Sequence, residues 1–302
     1  MARSSGFAGP QPACARRDRP ALGCPDECAI RRTLHGWQDV IGRPEISRLS
    51  VAGGVSERAQ EKDYVLAWLL AARATLGPSS LVFKGGTALR RCYFRGYRYS
   101  EDLDFSADDQ PSLEEIRAIL DAWCGWVGDH AGIRASLVAP TKTRGGTAFI
   151  EYVGPLRAAD GRSIKIDVAT DEVVRDGSER RALLSEYSDL DGAGHLIDVY
   201  AVSEIWAEKA RSLVQRSEPR DLYDLHQLLV DDPTLPDHCR DLFRRKAIAK
   251  LLNPNDLLGR LDGREKIWER LWQQRLENQV RDLPAFDGVW RRVIRSLRQA
   301  DY

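Results

Sequence analysis

Residues 83–106, FKGGTALRRCYFRGYRYSEDLDFS, place two glycines and a threonine shortly before two aspartates spaced i, i+2. The apolar residues 81–83 predict a short buried strand that runs into Gly85 and Gly86. Glycine has no side chain, so the backbone there can approach a phosphate closely, and Thr87 adds a hydroxyl donor. The pattern predicts a strand followed by a phosphate-binding turn.

The two aspartates, Asp102 and Asp104, predict a metal site if they lie on a strand. Successive side chains of a strand point to opposite faces, so both acids would share one face while Leu103 and Phe105 point to the core. Like charges this close repel each other unless a cation neutralises them, and hard oxygen ligands suit Mg²⁺ or Mn²⁺. Taken separately, the glycines also fit an ordinary turn and the acids an exposed strand edge.

Two residues farther along the chain fit the same chemistry. Asp167 alternates with the apolar residues 164, 166 and 168 of a predicted strand and therefore points away from them; a surface aspartate is the other interpretation. Lys209 lies between Ile205 and Leu213 at i, i+4 steps on the apolar face of a predicted helix. A buried ammonium needs an anion, so Lys209 pairs with a carboxylate, binds a ligand phosphate or extends to the surface. Asp221 follows Pro219 and Arg220 and could cap a helix, serve the site, or do both.

These motifs resemble the nucleotidyltransferase superfamily and, more closely, the AbiEii-type toxins of abortive-infection and toxin–antitoxin systems. The resemblance runs over roughly residues 55–230. It rests on residues 61–64 (EKDY), 84–89 (KGGTAL), 100–104 (SEDLD), 165–167 (KID), 209–210 (KA) with Arg216, and 220–225 (RDLYDL).

The resemblance implies an α/β (α+β) fold in which a mixed or antiparallel-rich sheet is flanked by helices and followed by a helical C-terminal part. We expect residues 1–29 to be a mobile extension, residues 30–185 the nucleotidyltransferase domain, and residues 186–302 a helical domain that completes the active site. The patterns predict a helix over residues 57–76 capped by Ser56, another over 112–127, and an antiparallel pair of strands at 149–153 and 164–168.

The resemblance also implies a reaction, namely metal-dependent transfer of a nucleoside monophosphate from an NTP to an acceptor hydroxyl. The implied acceptor is the 3′ end of tRNA, which would block translation, and the implied partner is a cognate antitoxin of winged-helix type. In some relatives the serine at the position of Ser100 is phosphorylated. The implied site consists of Asp102 and Asp104 for Mg²⁺ or Mn²⁺, Asp167, Lys209 and Asp221 for catalysis, and Gly85, Gly86, Thr87 and Ser100 for the nucleotide.

Two other functions remain open at this point. The chain could transfer a nucleotide to a protein or a small molecule. It could also be a catalytically idle module that binds RNA or an antitoxin.

The composition fits a cytoplasmic enzyme. The 302 residues carry 45 basic and 45 acidic side chains, so nucleic-acid binding would depend on local patches. No apolar run approaches the roughly 20 residues of a membrane span, and we find no secretory signal. Cys14, Cys24 and Cys28 lack a CxxC spacing, so a zinc site there is disfavoured against a disordered tail.

One local patch of mixed character lies between the glycines and the aspartates. Arg90, Arg91, Arg95 and Arg98 alternate with the aromatic residues Tyr93, Phe94, Tyr97 and Tyr99. Such a mixture could bind a phosphate backbone and stack an unpaired base. Alternatively, the aromatic side chains pack inward on a helix whose arginines are solvated.

Overall fold

The computed structural model describes residues 40–78, 80–107, 110–138, 146–158, 161–172 and 177–302. These residues belong to a compact unit that spans Gln38–Tyr302. The predicted extension over residues 1–29, with Cys14, Cys24 and Cys28, lies outside the described residues.

The centre of the fold is a mixed sheet. Within the described residues it contains seven strands in the order β3-β4-β5-β2-β1-β7-β6, in which β1 pairs parallel with β7 and β2 parallel with β5, while the other neighbours are antiparallel. The strands are β1 Leu81–Lys84, β2 Asp102–Ala107, β3 Arg134–Val138, β4 Gly146–Val153, β5 Ser163–Ala169, β6 Ser178–Ala182 and β7 Leu196–Tyr200.

Helices precede, interrupt and follow these strands. They are α1 Arg43–Gly53, α2 Glu57–Leu76, α3 Gly85–Ala88, α4 Leu113–Ala131, α5 Val202–Gln215, α6 Pro219–Asp231, α7 Leu235–Ala249, α8 Asp256–Leu261, α9 Glu265–Leu276 and α10 Phe286–Gln299. The π-helical turn Leu89–Tyr93 extends α3, and the 3₁₀ turn Gly192–Gly194 precedes β7. Within the described residues none of the helices combines the length and hydrophobicity of a membrane span.

Local signals set the helix ends as the sequence predicts. The Ser56 side chain accepts a hydrogen bond from the Ala59 amide at the start of α2, which ends at Gly77. At the start of α4, Ser112 and Glu115 each bind the other's backbone amide in a capping box. The predicted helix over 57–76 is therefore confirmed at both ends, and α4 runs four residues past the predicted residue 127 because the turn at Gly132 ends it.

The core joins the sheet to the helices through large side chains. Phe105 of β2 lies 5.6 Å from the Trp123 ring of α4 and 5.4 Å from the Phe83 ring of β1, measured between ring centroids. Leu103 and Phe105 are fully buried, as the alternation on β2 predicts. The predicted antiparallel pair, β4 and β5, is confirmed.

The sheet and the helices of the C-terminal part confirm the predicted α/β architecture. β7 is an internal strand that pairs with both β1 and β6. Strands therefore lie on both sides of the division predicted between residues 185 and 186, and that division stays a prediction.

Candidate active site

The strand register brings the predicted acids together. Asp104 on β2 lies opposite Asp167 on the parallel strand β5, and on its other side it lies opposite Lys84 at the end of the antiparallel strand β1. Asp102 points to the same face two residues earlier. Three neighbouring strands of the sheet thus place three carboxylates and a lysine on one face, with Lys84, Asp104 and Asp167 in one row.

The glycines that follow β1 make room for this row. Gly85 has φ +83°, and a Cβ atom at this position would lie 2.6 Å from Oδ2 of Asp104. A Cβ on Gly86 would overlap the Arg98 guanidinium. The predicted turn is in fact the first residues of α3, and both positions need glycine for close approach.

Thr87 has a different environment from the one expected of a phosphate-binding hydroxyl. It is only 1% exposed, and its Oγ1 donates to the Asp102 carbonyl oxygen at 2.6 Å. The hydroxyl therefore ties α3 to the start of β2, and Thr87 does not line the cavity described below.

The acid pair fits a divalent cation. Burial raises the pKa of Asp102, and it raises the pKa of Asp104 to about 6, where Asp102 and Asp167 add to the increase and Lys84 opposes it. Across the described residues no group of three or more His, Cys, Asp and Glu side chains is arranged to hold a metal ion. Two carboxylates nevertheless match Mg²⁺, which usually takes one or two protein carboxylates and completes its shell with substrate phosphates and water.

Asp167 is oriented by its neighbours. Thr147, opposite it on β4, donates to Oδ1 at 2.7 Å, and Lys165 forms an ion pair with Oδ2. Ile164, Ile166 and Val168 of the same strand are buried. As the alternation predicts, Asp167 points away from this apolar set.

Lys209 meets carboxylates, which is one of the three alternatives that its inward position left open. Its Nζ lies 2.8 Å from Asp221 and 2.7 Å from Asp224, and Arg216 also binds Asp221 at 2.8 Å. Burial alone would lower the pKa of Lys209, but Asp221 and Asp224 outweigh burial and raise it, so the ammonium stays charged. Asp221 does not cap α6, because its carboxylate is engaged by Lys209 and Arg216 and the N-cap residue is Glu218.

Asp224 joins this cluster to the segment between the glycines and the acids. Arg98 binds its two oxygens at 2.6 and 2.7 Å, and the Tyr97 hydroxyl donates to it at 3.0 Å. Arg90 and Arg91 are likewise buried and both form ion pairs with Asp63.

The interpretation that the arginines are solvated is therefore wrong for Arg90, Arg91 and Arg98, because buried aspartates bind them. Arg98 still forms part of the wall of the cavity described below, so its contact with a phosphate stays a prediction. Tyr97 and Tyr99 are buried as well, whereas Arg95 is exposed. Asp63 and Asp224 come from distant parts of the chain. The spacing of residues within the patch therefore could not predict that these aspartates bind the arginines.

Most of the predicted site residues line one cavity of about 400 Å³. Of the predicted site residues, its wall includes Gly85, Gly86, Ser100, Asp102, Asp104, Asp167, Lys209 and Asp221. It also includes charged residues to which the sequence analysis gave no role in the site, namely Lys84, Lys165, Glu172, Glu208, Arg211, Arg216 and Arg220, together with Arg98. The signal for Lys84 was present in the sequence, because a lysine at the end of an apolar strand adjoins the glycines.

Comparisons with known proteins identify the family of the chain and its fold. The model of the family described as nucleotidyl transferase AbiEii toxin, type IV TA system, matches residues 68–292. No curated protein sequence matches the chain. Among solved structures, the nucleotidyltransferase toxin MenT4 from Mycobacterium tuberculosis H37Rv matches with a TM-score of 0.59 and 20% identity, over 85% of this chain and 88% of that one. That likeness shows a shared nucleotidyltransferase-toxin fold, and the family match covers most of the chain. The chain belongs to the AbiEii family of nucleotidyltransferase toxins of type IV toxin–antitoxin systems.

Proposed function

We propose that this toxin transfers a nucleoside monophosphate from an NTP to the 3′-terminal hydroxyl of tRNA, with release of pyrophosphate. The observation that carries the proposal is the register of β2 and β5, which sets Asp104 opposite Asp167 with Asp102 on the same wall. Two carboxylates can hold a metal ion, and a third beside them can take the proton of an acceptor hydroxyl, which supports nucleotidyl transfer.

Each side chain has one task in this proposal. Asp102 and Asp104 hold Mg²⁺ or Mn²⁺, which when bound would neutralise phosphate charge and polarise the α-phosphate. Gly85 and Gly86 let the backbone approach the phosphates, and Ser100 lies beside them in the cavity wall. Thr87 contributes by fixing Asp102 through its carbonyl oxygen.

Asp167 is the candidate base for the acceptor hydroxyl. Thr147 and Lys165 hold its carboxylate in the cavity, so it can orient the hydroxyl and take its proton as the new bond forms. Lys209, Arg98 and Arg216 carry three positive charges against the two negative charges of Asp221 and Asp224. The excess positive charge stabilises the phosphates as charge shifts during transfer.

The acceptor and partners are assigned from the charge of the cavity and from the family. Arg216 and Arg220 keep 59% and 33% of their side chains exposed at the cavity wall, where a nucleic-acid phosphate could bind them. We assign the reaction to the cytoplasm, where NTPs and tRNA occur, and the neutralising partner to a winged-helix antitoxin. Phosphorylation of Ser100 would silence the site, because its added negative charge would repel both the acids and the NTP.

The experiment supplies each α-labelled NTP in turn to the purified protein with Mg²⁺ and total tRNA. We expect label in tRNA with one or more NTPs, lost on addition of EDTA and lost in an Asp102→Ala variant. Asp121→Ala, an exposed aspartate on α4, is the matched control and should retain activity.

The destination of the label decides between the functions. Label at the tRNA 3′ end supports the proposal. Label found only in protein or in a small molecule would show that this molecule, and not tRNA, is the acceptor. If no NTP donates a nucleotide to any acceptor, the remaining function is that of a module that binds RNA or an antitoxin.

A further inference from the structure

Lys84 is a cation in the cavity wall whose hydrogen-bonding capacity is only partly used. An ammonium has three donors. In the described part of the chain Lys84 donates to Glu208 at 3.2 Å, and its second carboxylate neighbour, Glu172, is 3.9 Å away, beyond hydrogen-bond distance. Lys209, by contrast, has carboxylate oxygens at 2.8 and 2.7 Å. Lys84 therefore has more capacity than Lys209 to bind a further oxygen.

The position of Lys84 indicates which ligand group would supply this further oxygen. Lys84 lies opposite Asp104 on the neighbouring strand, so the two side chains leave the sheet side by side on the same face. If Asp104 holds a metal ion, a phosphate bound to that ion would lie close to this ammonium. Glu208 at 3.2 Å and Glu172 at 3.9 Å are anions that face this ammonium and favour its charged form.

We propose that Lys84 binds the β- and γ-phosphates of the NTP and stays bound to them when they leave as pyrophosphate. This role rests on the proposed nucleotidyl transfer. In that step the acceptor oxygen bonds to the α-phosphorus, and the bond from the α-phosphorus to its β-bridging oxygen breaks. The bond electrons leave on pyrophosphate while the acceptor proton passes to Asp167. Lys84 stays protonated and donates to the oxygen that gains charge.

Glu172 and Glu208 act as positioning residues for this lysine. The same two carboxylates bind Arg211, at 3.2 Å for Glu172 and 4.0 Å for Glu208, so both cations are held at the wall without a phosphate. A site charged and fixed in advance loses little entropy when the ligand binds.

Lys246 provides a matched control within the same network. It is buried, forms ion pairs with Glu204 at 2.5 Å and with Glu208 at 3.8 Å, and lies 5.1 Å from the Tyr200 ring centroid, while Lys84 lies 5.6 Å from that centroid. Lys246 is outside the cavity wall. Replacement of either lysine disturbs the same carboxylate, but only replacement of Lys84 removes a donor from the cavity.

The test measures binding of inorganic pyrophosphate in the presence of Mg²⁺ by calorimetry. We expect Lys84→Met to weaken binding about tenfold or more, the effect of a lost hydrogen bond to a charged group, and to raise KM for the NTP by a similar factor. Lys246→Met should leave both within about twofold. If Lys84→Met does not fold, Glu208→Gln alone is compared with Glu208→Gln combined with Lys84→Met, because the pair of substitutions leaves no unpaired charge.

Equal affinity with and without Lys84, or an equal loss on replacing Lys84 and Lys246, would overturn the assignment. These outcomes differ from failure of the proposed function. A wild-type protein that transfers no nucleotide contradicts the transfer itself, whereas an active Lys84→Met variant with unchanged pyrophosphate affinity contradicts only the role of Lys84.

Discussion

Gly85 lets the backbone at the start of α3 lie close to the Asp104 carboxylate. Its φ of +83° is one that a residue with a Cβ adopts only with strain, and the Cβ would lie 2.6 Å from Oδ2 of Asp104. Backbone conformation and side-chain space therefore both require glycine at this position.

A substitution can separate these two requirements. The left-handed conformation alone costs a residue with a Cβ about 1–2 kcal/mol. We expect Gly85→Ala to lower the unfolding free energy by more than this and to abolish nucleotide transfer, because the methyl group also displaces Asp104. Gly263→Ala is the control, since Gly263 has φ +76° with no atom near the added Cβ; it should lose only the conformational cost in urea unfolding and keep full activity. Full activity in Gly85→Ala would mean that Asp104 does not need its observed position.

Individual residues could be predicted where the chemistry was local. The alternation of β2 and β5 predicted the direction of Asp102, Asp104 and Asp167, because period two depends only on neighbouring residues. The partners of Arg98 could not be predicted in this way, because Asp224 follows it by 126 positions and only the tertiary fold brings them together.

At the scale of elements, Asp224 holds α5, α6 and the segment before β2 in one arrangement. It lies on α6, binds Lys209 of α5, and accepts two hydrogen bonds from Arg98. Burial would raise the pKa of Asp224, but the charges of Arg98 and Lys209 outweigh burial and hold it well below its usual value. The ionised carboxylate is therefore a stabilising part of the folded protein.

Replacement of Asp224 should reveal this contribution and its pH dependence. We expect Asp224→Asn to lower the unfolding free energy by about 3–5 kcal/mol at pH 7, because it leaves buried cations undercompensated. A depressed folded-state pKa gives stability that is present above the unfolded value of about 3.9 and is lost as the pH falls below it. The difference between wild type and variant, measured by urea unfolding, should thus shrink below about pH 4.

Asp231→Asn, at the exposed end of the same helix, is the control for this substitution and should change stability by no more than about 0.5 kcal/mol. A loss in Asp224→Asn that is equally large at pH 3 and pH 7 would contradict the assignment to charge pairing.

At the scale of the whole molecule, the sheet and the C-terminal helices depend on each other. β7 pairs in parallel with β1, the strand that carries Lys84, and β6 pairs only with β7 among the described strands. The helical part adds Lys209, Asp221 and Glu208 to the cavity wall. The sequence predicted β1, β2, β4, β5 and a helical C-terminal part. It did not predict β3, and it did not predict that β7 inserts between β1 and β6, because strand pairing is set by contacts distant in sequence.

This dependence makes a prediction about fragments. A fragment that ends at residue 185, the predicted domain division, lacks β7 and leaves one edge of β1 unpaired. We expect it to show no cooperative transition in thermal or urea unfolding, whereas the full chain unfolds cooperatively under the same conditions. A cooperative transition in the fragment would instead establish residues up to 185 as an independent domain.

The most direct measurement compares two labels in one NTP, at the α-phosphate and at the γ-phosphate, incubated with the protein, Mg²⁺ and tRNA. Nucleotidyl transfer predicts that the α-label enters the tRNA and the γ-label leaves in pyrophosphate, and that Asp104→Asn abolishes both. Entry of the γ-label into the acceptor, or α-label transfer that survives Asp104→Asn, would contradict the account.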